Sequence, residues 1–374
     1  MNNKKRIIVS VTNDLSTDQR VNKVCNYLAD NSIEVVLLGR KLKNSLPFNP
    51  NKFTSKRFRL LFNSGVLFYA EYNIRLFFYL LFNKYDALLS NDLDTLPANY
   101  FANIFKRKLL FYDSHEVFTE VPELTNNPFK RKIWLAFEKF IVPKLNNCYT
   151  VNQSIANYFE KNYKTKFKVI KNLPNYFEIN KRNKSDLGLP EDKHIIVLQG
   201  AGININRGAE EAVLAMQHLE NAVLLIMGSG DVVSKLKEMC IENNLFDKVL
   251  FKDKMPYQEM MKFTVCCTIG LSLDKPIGLN YQLSLPNKLF DYIQAQIPVL
   301  ASDVVEVKAV LNKYNIGETI NSWEPKDIAS ALKIILINAE KEVYTQGLAK
   351  AKQDLVWEKQ DVTLNEIYSP LLNS

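Results

Sequence analysis

Histidine is scarce in this chain, with three in 374 residues. Glycine is scarce too, at 12, so few turns can rely on a positive φ. The five cysteines, at 25, 148, 240, 266 and 267, form no CxxC pair and have no histidine-rich partner segment, which argues against a zinc site. Their odd number, without a recognisable leader, predicts a reduced cytoplasmic protein. Long apolar runs are missing as well. The longest, Leu76–Phe82, has Arg75 before it and Asn83-Lys84 after it, far short of the ~20 residues that span a bilayer. The basic start Met1–Arg6 leads only into Ile7-Ile8-Val9, which reads as a first strand rather than a secretion signal.

What is present is an ordinary globular composition, 47% hydrophobic and 24% charged, which excludes a disordered or collagen-like chain. Aromatic residues are plentiful, with 22 Phe and 17 Tyr. A single core stops growing near ~250–300 residues, so the length implies two domains. The net charge of +8 is uneven. Residues 1–172 hold 27 Lys/Arg against 14 Asp/Glu, a net +13, and the rest hold 21 against 26, a net −5. The first half is therefore expected to meet something anionic: a membrane surface, a phosphate-bearing acceptor or nucleic acid.

Strand-like and helix-like segments alternate along both halves. In the first, strands are predicted at 6–11, 34–38, 86–90, 108–113 and 147–151, with helices at 17–31, 96–105 and 128–145 between them. A polar stretch from 169 to 193, rich in Asn, Lys and Pro, marks the domain boundary. The pattern then restarts, with strands at 194–199, 222–227, 249–252, 267–273 and 298–302. Helices are predicted at 207–218, 232–243, 257–264, 285–295, 326–338 and from 357 to the end. Such alternation means α/β architecture, a parallel sheet covered on both faces, twice over. The expected division is residues 1–172, completed by 357–374, and residues 173–356.

Ligands of open parallel sheets bind beyond the carboxyl ends of the strands. After the strand at 194–199 comes Gly200-Ala201-Gly202, then Arg207-Gly208, where backbone N–H groups and a guanidinium could share a diphosphate; a plain strand-to-helix turn explains it equally well. Met227-Gly228-Ser229-Gly230 is a second glycine turn with the same two readings. Pro286-Asn287-Lys288-Leu289-Phe290-Asp291 places a cation and a carboxylate about one helical turn apart, suited to a diphosphate and ribose hydroxyls; the plainer reading is a solvated Lys–Asp pair. His115 and Glu116 directly follow a strand ending in Asp113. Asp18 and Arg20 stand at the start of the first helix, where a cap and a surface charge are the simpler account.

These segments, with Asn13–Val21, Ser90–Asp94, Tyr112–Glu116, Val169–Asn172 and Leu285–Tyr292, run in the order found in the retaining GT-B glycosyltransferases of family 4, particularly those of bacterial surface-polysaccharide pathways, which the chain resembles over nearly its whole length. The resemblance implies two Rossmann-like domains facing across a cleft. It implies a nucleotide-sugar donor held in the second domain by Gly200, Gly202, Arg207, Gly208, Gly228, Gly230, Pro286, Asn287, Lys288 and Asp291. The acceptor would lie in the first domain, with Asp18 and Arg20 on its side and His115 and Glu116 near the reacting sugar. Two departures stand out. The Glu-x7-Glu motif of the family has Leu283 at its first position and Asp291 at its second, and the loop Ala201-Gly202-Ile203 lacks the arginine that relatives carry there.

The implied reaction needs no metal and no cofactor beyond the nucleotide-diphosphate sugar. Asp92-Leu93-Asp94, a spacing that binds divalent metal in the other major glycosyltransferase fold, is read here as a strand-end loop. Arg207, Lys288 and helix N-termini would offset charge on the departing diphosphate. The aromatic stretch 58–82, flanked by Lys52, Lys56, Arg57 and Arg59, reads either as a surface that dips into an anionic inner leaflet to reach a lipid-linked acceptor, or as a core helix beneath a basic surface. The expected location is cytoplasmic, peripheral at the inner membrane face. Two other classes remain: a GT-B nucleotide-sugar epimerase, for which three histidines are few, and a non-enzymatic nucleic-acid-binding or scaffold protein. The basic half suggests the latter, but no helix-turn-helix, RRM or zinc-finger pattern supports it, so nucleic acid is not an expected partner.

Overall fold

The computed structural model describes residues 4–16, 18–178 and 182–373. Thr17, the expected start of the first helix, and 179–181 of the expected linker lie outside the described residues. The chain divides into two compact units, Met1–Asn172 with Gln360–Ser374, and Leu173–Lys359.

The first unit is built on a seven-stranded sheet: β1 (Arg6–Asp14), β2 (Glu34–Arg40), β3 (Thr54–Phe58), β4 (Ala87–Asn91), β5 (Leu109–Ser114), β6 (Asn147–Thr150) and β7 (Lys168–Val169). Their order is β3-β2-β1-β4-β5-β6-β7, and all neighbours are parallel. β1 and β4 are almost wholly buried, as strands covered on both faces must be, and their near-continuous apolar runs made them visible in the sequence. β3, Thr-Ser-Lys-Arg-Phe, escaped that reading because it is a half-exposed edge strand whose charges discourage further pairing. Three helices matter below: α1 (Gln19–Asp30), α2 (Gly65–Phe82) and α3 (Leu96–Lys106).

The second unit repeats the plan with six parallel strands in the order β10-β9-β8-β11-β12-β13. They are β8 (His194–Gly200), β9 (Ala222–Gly228), β10 (Val249–Lys252), β11 (Ile269–Ser272), β12 (Val299–Ser302) and β13 (Gly317–Ile320). β13 was not expected, since Gly-Glu-Thr-Ile is short and only half buried. Each sheet reverses its strand order once, between β1 and β4 and between β8 and β11. Those two points open a crevice at the strands' carboxyl ends.

At the second of them Tyr292 packs over the paired strands β8 and β11. Its ring lies where a side chain on Gly270 would stand, 2.3 Å from an ideal Cβ, and its hydroxyl donates to Leu271 O at 3.0 Å and receives Gln199 N–H at 3.4 Å.

The chain returns to the first unit at its end. The helix Asp361–Leu372 buries Leu364, Ile367, Tyr368 and Leu371. Tyr368 is fully buried, its hydroxyl 2.8 Å from that of Tyr149 on β6 and its ring 4.7 Å from that of Phe111 on β5. Tyr368→Ala is therefore expected to lower stability by about 3–5 kcal/mol through the cavity it leaves. Tyr368→Phe, which loses only the hydroxyl pairing, should cost about 1 kcal/mol. Chemical denaturation checks both, and a wild-type midpoint for Tyr368→Ala would refute this docking.

Candidate functional site

Each sheet carries a cluster of charges at the point where its strand order reverses. In the first unit the cluster is mainly acidic. Asp113, the penultimate residue of β5, is completely buried and shared by two cations. Arg20 donates to it through Nε and Nη2, both at 2.9 Å, and His115 Nε2 lies 3.2 Å away. The Nη1 of Arg20 donates to Ile170 O at 2.8 Å, so this guanidinium, 3% exposed, is spent inside the fold, behind His115. Asp18, beside it in sequence, caps α1 by accepting Val21 N–H at 3.1 Å.

His115 is held from both sides. Its Nδ1 lies 3.2 Å from Asp92, and its backbone N–H donates to the same carboxylate at 2.8 Å. Burial opposes a charged imidazole, but Asp92 and Asp113 outweigh it and push His115 up to about 9. The ring is thus an imidazolium at neutral pH, a donor and a positive charge rather than a proton acceptor. Asp113 shows the converse: burial raises it, Arg20 and His115 outweigh burial, and it falls to about 2.

Two further carboxyls titrate near neutrality. Asp94 is raised to about 7 by burial and by Asp92, and its partner is the hydroxyl of Thr12, 2.5 Å away. Glu116 is raised to about 7 by burial and by Asp92. The Asp-x-Asp triplet is accordingly turned inward: Asp92, at φ 56°, faces His115, and Asp94 faces β1. Among the described residues no group of three or more His, Cys, Asp or Glu side chains is placed to hold a metal ion.

In the second unit the cluster is cationic. The expected helix from 207 begins at Ala209, and Arg207 precedes it in a turn closed by Gly208 at φ 72°. Gly208 is there for close approach, since a Cβ would sit 2.5 Å from Leu273 O. Gly228 and Gly230 serve the same end. A Cβ on either would meet the carbonyl of Gly200 or Ile203 at 1.8 and 2.0 Å, so these glycines clamp the two strand-end loops together. Gly202 has no such crowding, its nearest neighbour being 3.7 Å from an ideal Cβ.

The helix Asn287–Ala295 starts with Pro286 as its cap residue and Asn287 exposed. Lys288 and Asp291 lie one turn apart on it but face different partners. Lys288 Nζ is 3.4 Å from Asp274, which Arg207 Nη1 holds at 2.9 Å. Burial lowers Lys288, and Asp274 only partly opposes this. Asp291 accepts from Tyr257 OH at 3.1 Å and Gln199 Nε2 at 3.4 Å, tying the helix to the end of β8. Asp274 and Tyr281, whose ring lies 5.1 Å from the Arg207 guanidinium, escaped the sequence reading. The rule that sites follow strand ends would have found Asp274, which stands just beyond β11.

Two parallel doubly wound units of this kind define the GT-B class of fold. No protein-family model matches the chain, and no curated protein sequence matches it. Solved structures do. Sucrose-phosphate synthase from Thermosynechococcus elongatus superposes with a TM-score of 0.79 at 15% identity, covering 99% of this chain and 100% of that one. The Anabaena protein HepE, solved in complex with UDP, gives 0.73 at 12% identity and 99% coverage of both chains. WaaG, a glycosyltransferase involved in lipopolysaccharide biosynthesis, gives 0.73 at 13% identity over 96% of this chain and 99% of that one. These neighbours are GT-B glycosyltransferases, and at such identities the likeness is one of fold.

The acidic cluster makes a direct prediction. The His115 imidazole should remain protonated through pH 7 and titrate near 9, read by NMR of the ring protons, and Asp92→Asn should move it back toward the ordinary value near ~6.5. Because its folded pKa is raised, its contribution to stability is complete below the unfolded value and is lost as pH rises through about 9. A neutral His115 at pH 7 would overturn the arrangement.

Proposed function

We propose that the protein is a retaining glycosyltransferase that moves a sugar from a nucleoside-diphosphate sugar to a lipid-linked or polysaccharide acceptor in cell-surface glycan synthesis. The observation that carries this reading is the cationic pair Arg207 and Lys288, converging at the switch point of the second sheet. A GT-B neighbour crystallised with UDP lends support. Breaking the bond from anomeric carbon to diphosphate builds negative charge on the leaving group, and two cations from different loops would offset it without a metal. Asp291, on the same helix as Lys288, would meet the ribose.

The acidic cluster of the first unit is proposed to receive the acceptor. There His115, charged and with both ring nitrogens held by aspartates, would offer its positive charge rather than a free donor, and Glu116 would stand beside it. Attack on the same face as the departing phosphate, which takes the acceptor's proton, would need no protein base, in keeping with an imidazolium at His115. Asp18 and Arg20 act in this scheme through the fold, Arg20 by holding Asp113 and hence His115.

Peripheral attachment to an anionic inner leaflet belongs to the same proposal. α2 buries only Phe68, Tyr72, Leu76 and Leu80, one narrow stripe. Its other face leaves Ile74, Phe78 and Phe82 exposed, Phe82 at 82%. Phe105 on α3, 72% exposed, meets Phe77, and Phe101 on α3 stacks with Phe140 of the helix Pro128–Ile141. Lys144 lies over Phe140, Lys106 ends α3, and Arg107 and Lys108 follow it. Among the described residues no helix is long and apolar enough to cross a membrane. Aromatic rings edged by lysine and arginine suit the surface of an anionic bilayer.

Two measurements test these readings. Thermal shift with UDP, GDP, CDP and ADP should show one diphosphate stabilising the wild type, by about 2.7 kcal/mol at 100 times its dissociation constant. Lys288→Ala and Asp291→Ala should lose that shift. Stabilisation by none removes the donor site, and turnover of the nucleotide sugar without an acceptor would point to epimerisation instead. Separately, the protein should sediment with vesicles of phosphatidylcholine and phosphatidylglycerol but not with phosphatidylcholine alone. The triple change Phe78→Ser, Phe82→Ser, Phe105→Ser should reduce binding at least about tenfold, as loss of three inserted rings requires. Unchanged sedimentation of that variant would dismiss the membrane face.

A further inference from the structure

Asp274 follows β11 at the switch point of the second sheet and is 4% exposed at its side chain. Its backbone is pinned on three sides. Gly208 packs against Leu273 with no room for a Cβ, Lys275 N–H donates to Asn206 O at 2.9 Å, and Trp323 Nε1 donates to Leu273 O at 3.0 Å. The carboxylate is thus a fixed point, and two cations reach it from separate elements.

They are held unequally. Arg207 Nη1 makes a hydrogen bond of 2.9 Å to Oδ1, and its guanidinium lies against Tyr281. Lys288 Nζ stands 3.4 Å from Oδ2, an oxygen that is buried and makes no hydrogen bond. The Nε of Arg207 is likewise buried without a hydrogen-bond partner. A lysine ends a flexible stem and is largely withdrawn from water here, so it gains most from a stronger anion.

We propose that Asp274 is a displaceable counter-ion. It keeps Arg207 and Lys288 from repelling each other and sets the charge of the three groups at +1. An arriving diphosphate takes Lys288 from it while Arg207 stays bound, and Asp274 weakens the hold on the departing nucleoside diphosphate. This rests on the donor-site reading above. Asp274 is a positioning residue here, and it makes no contact with the sugar.

The test is a charge count read by calorimetry with UDP, or with whichever nucleoside diphosphate stabilises the wild type. Lys288→Gln should weaken binding about tenfold or more, and Asp274→Asn should tighten it about tenfold, each the removal of one charge a few ångströms from the phosphates. The double variant returns the site to +1 and should bind within about threefold of wild type. It leaves no unmatched lysine, so it carries the test even where Asp274→Asn alone fails to fold. A double variant weaker than Lys288→Gln, or an Asp274→Asn that folds and binds more weakly than wild type, overturns the proposal and leaves the donor site standing. A wild type that binds no nucleoside diphosphate removes both.

Discussion

A charge taken out of water has to be matched, and in both units the match takes the same form: one buried carboxylate shared by two cations at the point where the strand order reverses. In the first unit Asp113 holds Arg20 and His115, and in the second Asp274 holds Arg207 and Lys288. Breaking such a pair from one side leaves an uncompensated buried charge, typically at about 3–5 kcal/mol. The strands, loops and helix starts that deliver these groups are therefore fixed by one another. Around Asp113 the knot joins β5, α1, the loop after β4 and the carbonyl of Ile170 beyond β7.

The two knots differ in how completely they are tied. The Asp113 contacts lie between 2.9 and 3.2 Å, and Asp92 closes the other side of His115. At Asp274 one contact stretches to 3.4 Å, and buried polar atoms of both Arg207 and Asp274 lack a hydrogen-bond partner. Native folds pair nearly all such atoms, so the two at this one cluster call for a reason. The proposed function supplies one, in which the second unit would take an anion and the first would present an already stabilised positive charge among carboxyls.

The fold was legible because the buried strands are short apolar runs and the helices carry their own period. Edge strands were not, since β3 and β13 have too little buried surface to impose a pattern. Within the sites, position after a strand singled out His115, Glu116 and Arg207, and position in the first turn of a helix singled out Lys288. Pairing was not legible. Lys288 and Asp291 are neighbours on a helix, and the sequence suggests a unit, yet they are drawn apart by Asp274 and Tyr257, which come from distant segments. The glycines show the same limit. Gly228 and Gly230 could be read as a plain turn or as ligand contacts, and the sequence could not show that the space around them is closed by backbone.

The basic surplus of the first half also acquires a location. It does not gather at the crevice of that unit, where Asp92, Asp94, Asp113 and Glu116 outnumber Arg20 and His115. Part of it lies exposed in or just beyond helices, at Arg75, Lys84, Arg107, Lys108, Lys132 and Lys139. That share of the +13 in residues 1–172 is thus separate from the carboxyls at the strand ends. Nucleic-acid binding by an open basic crevice would require the opposite arrangement, with cations where the carboxyls stand. The proposed membrane face would instead draw on an apolar surface with a cationic margin, because rings gain by leaving water and lysines need not.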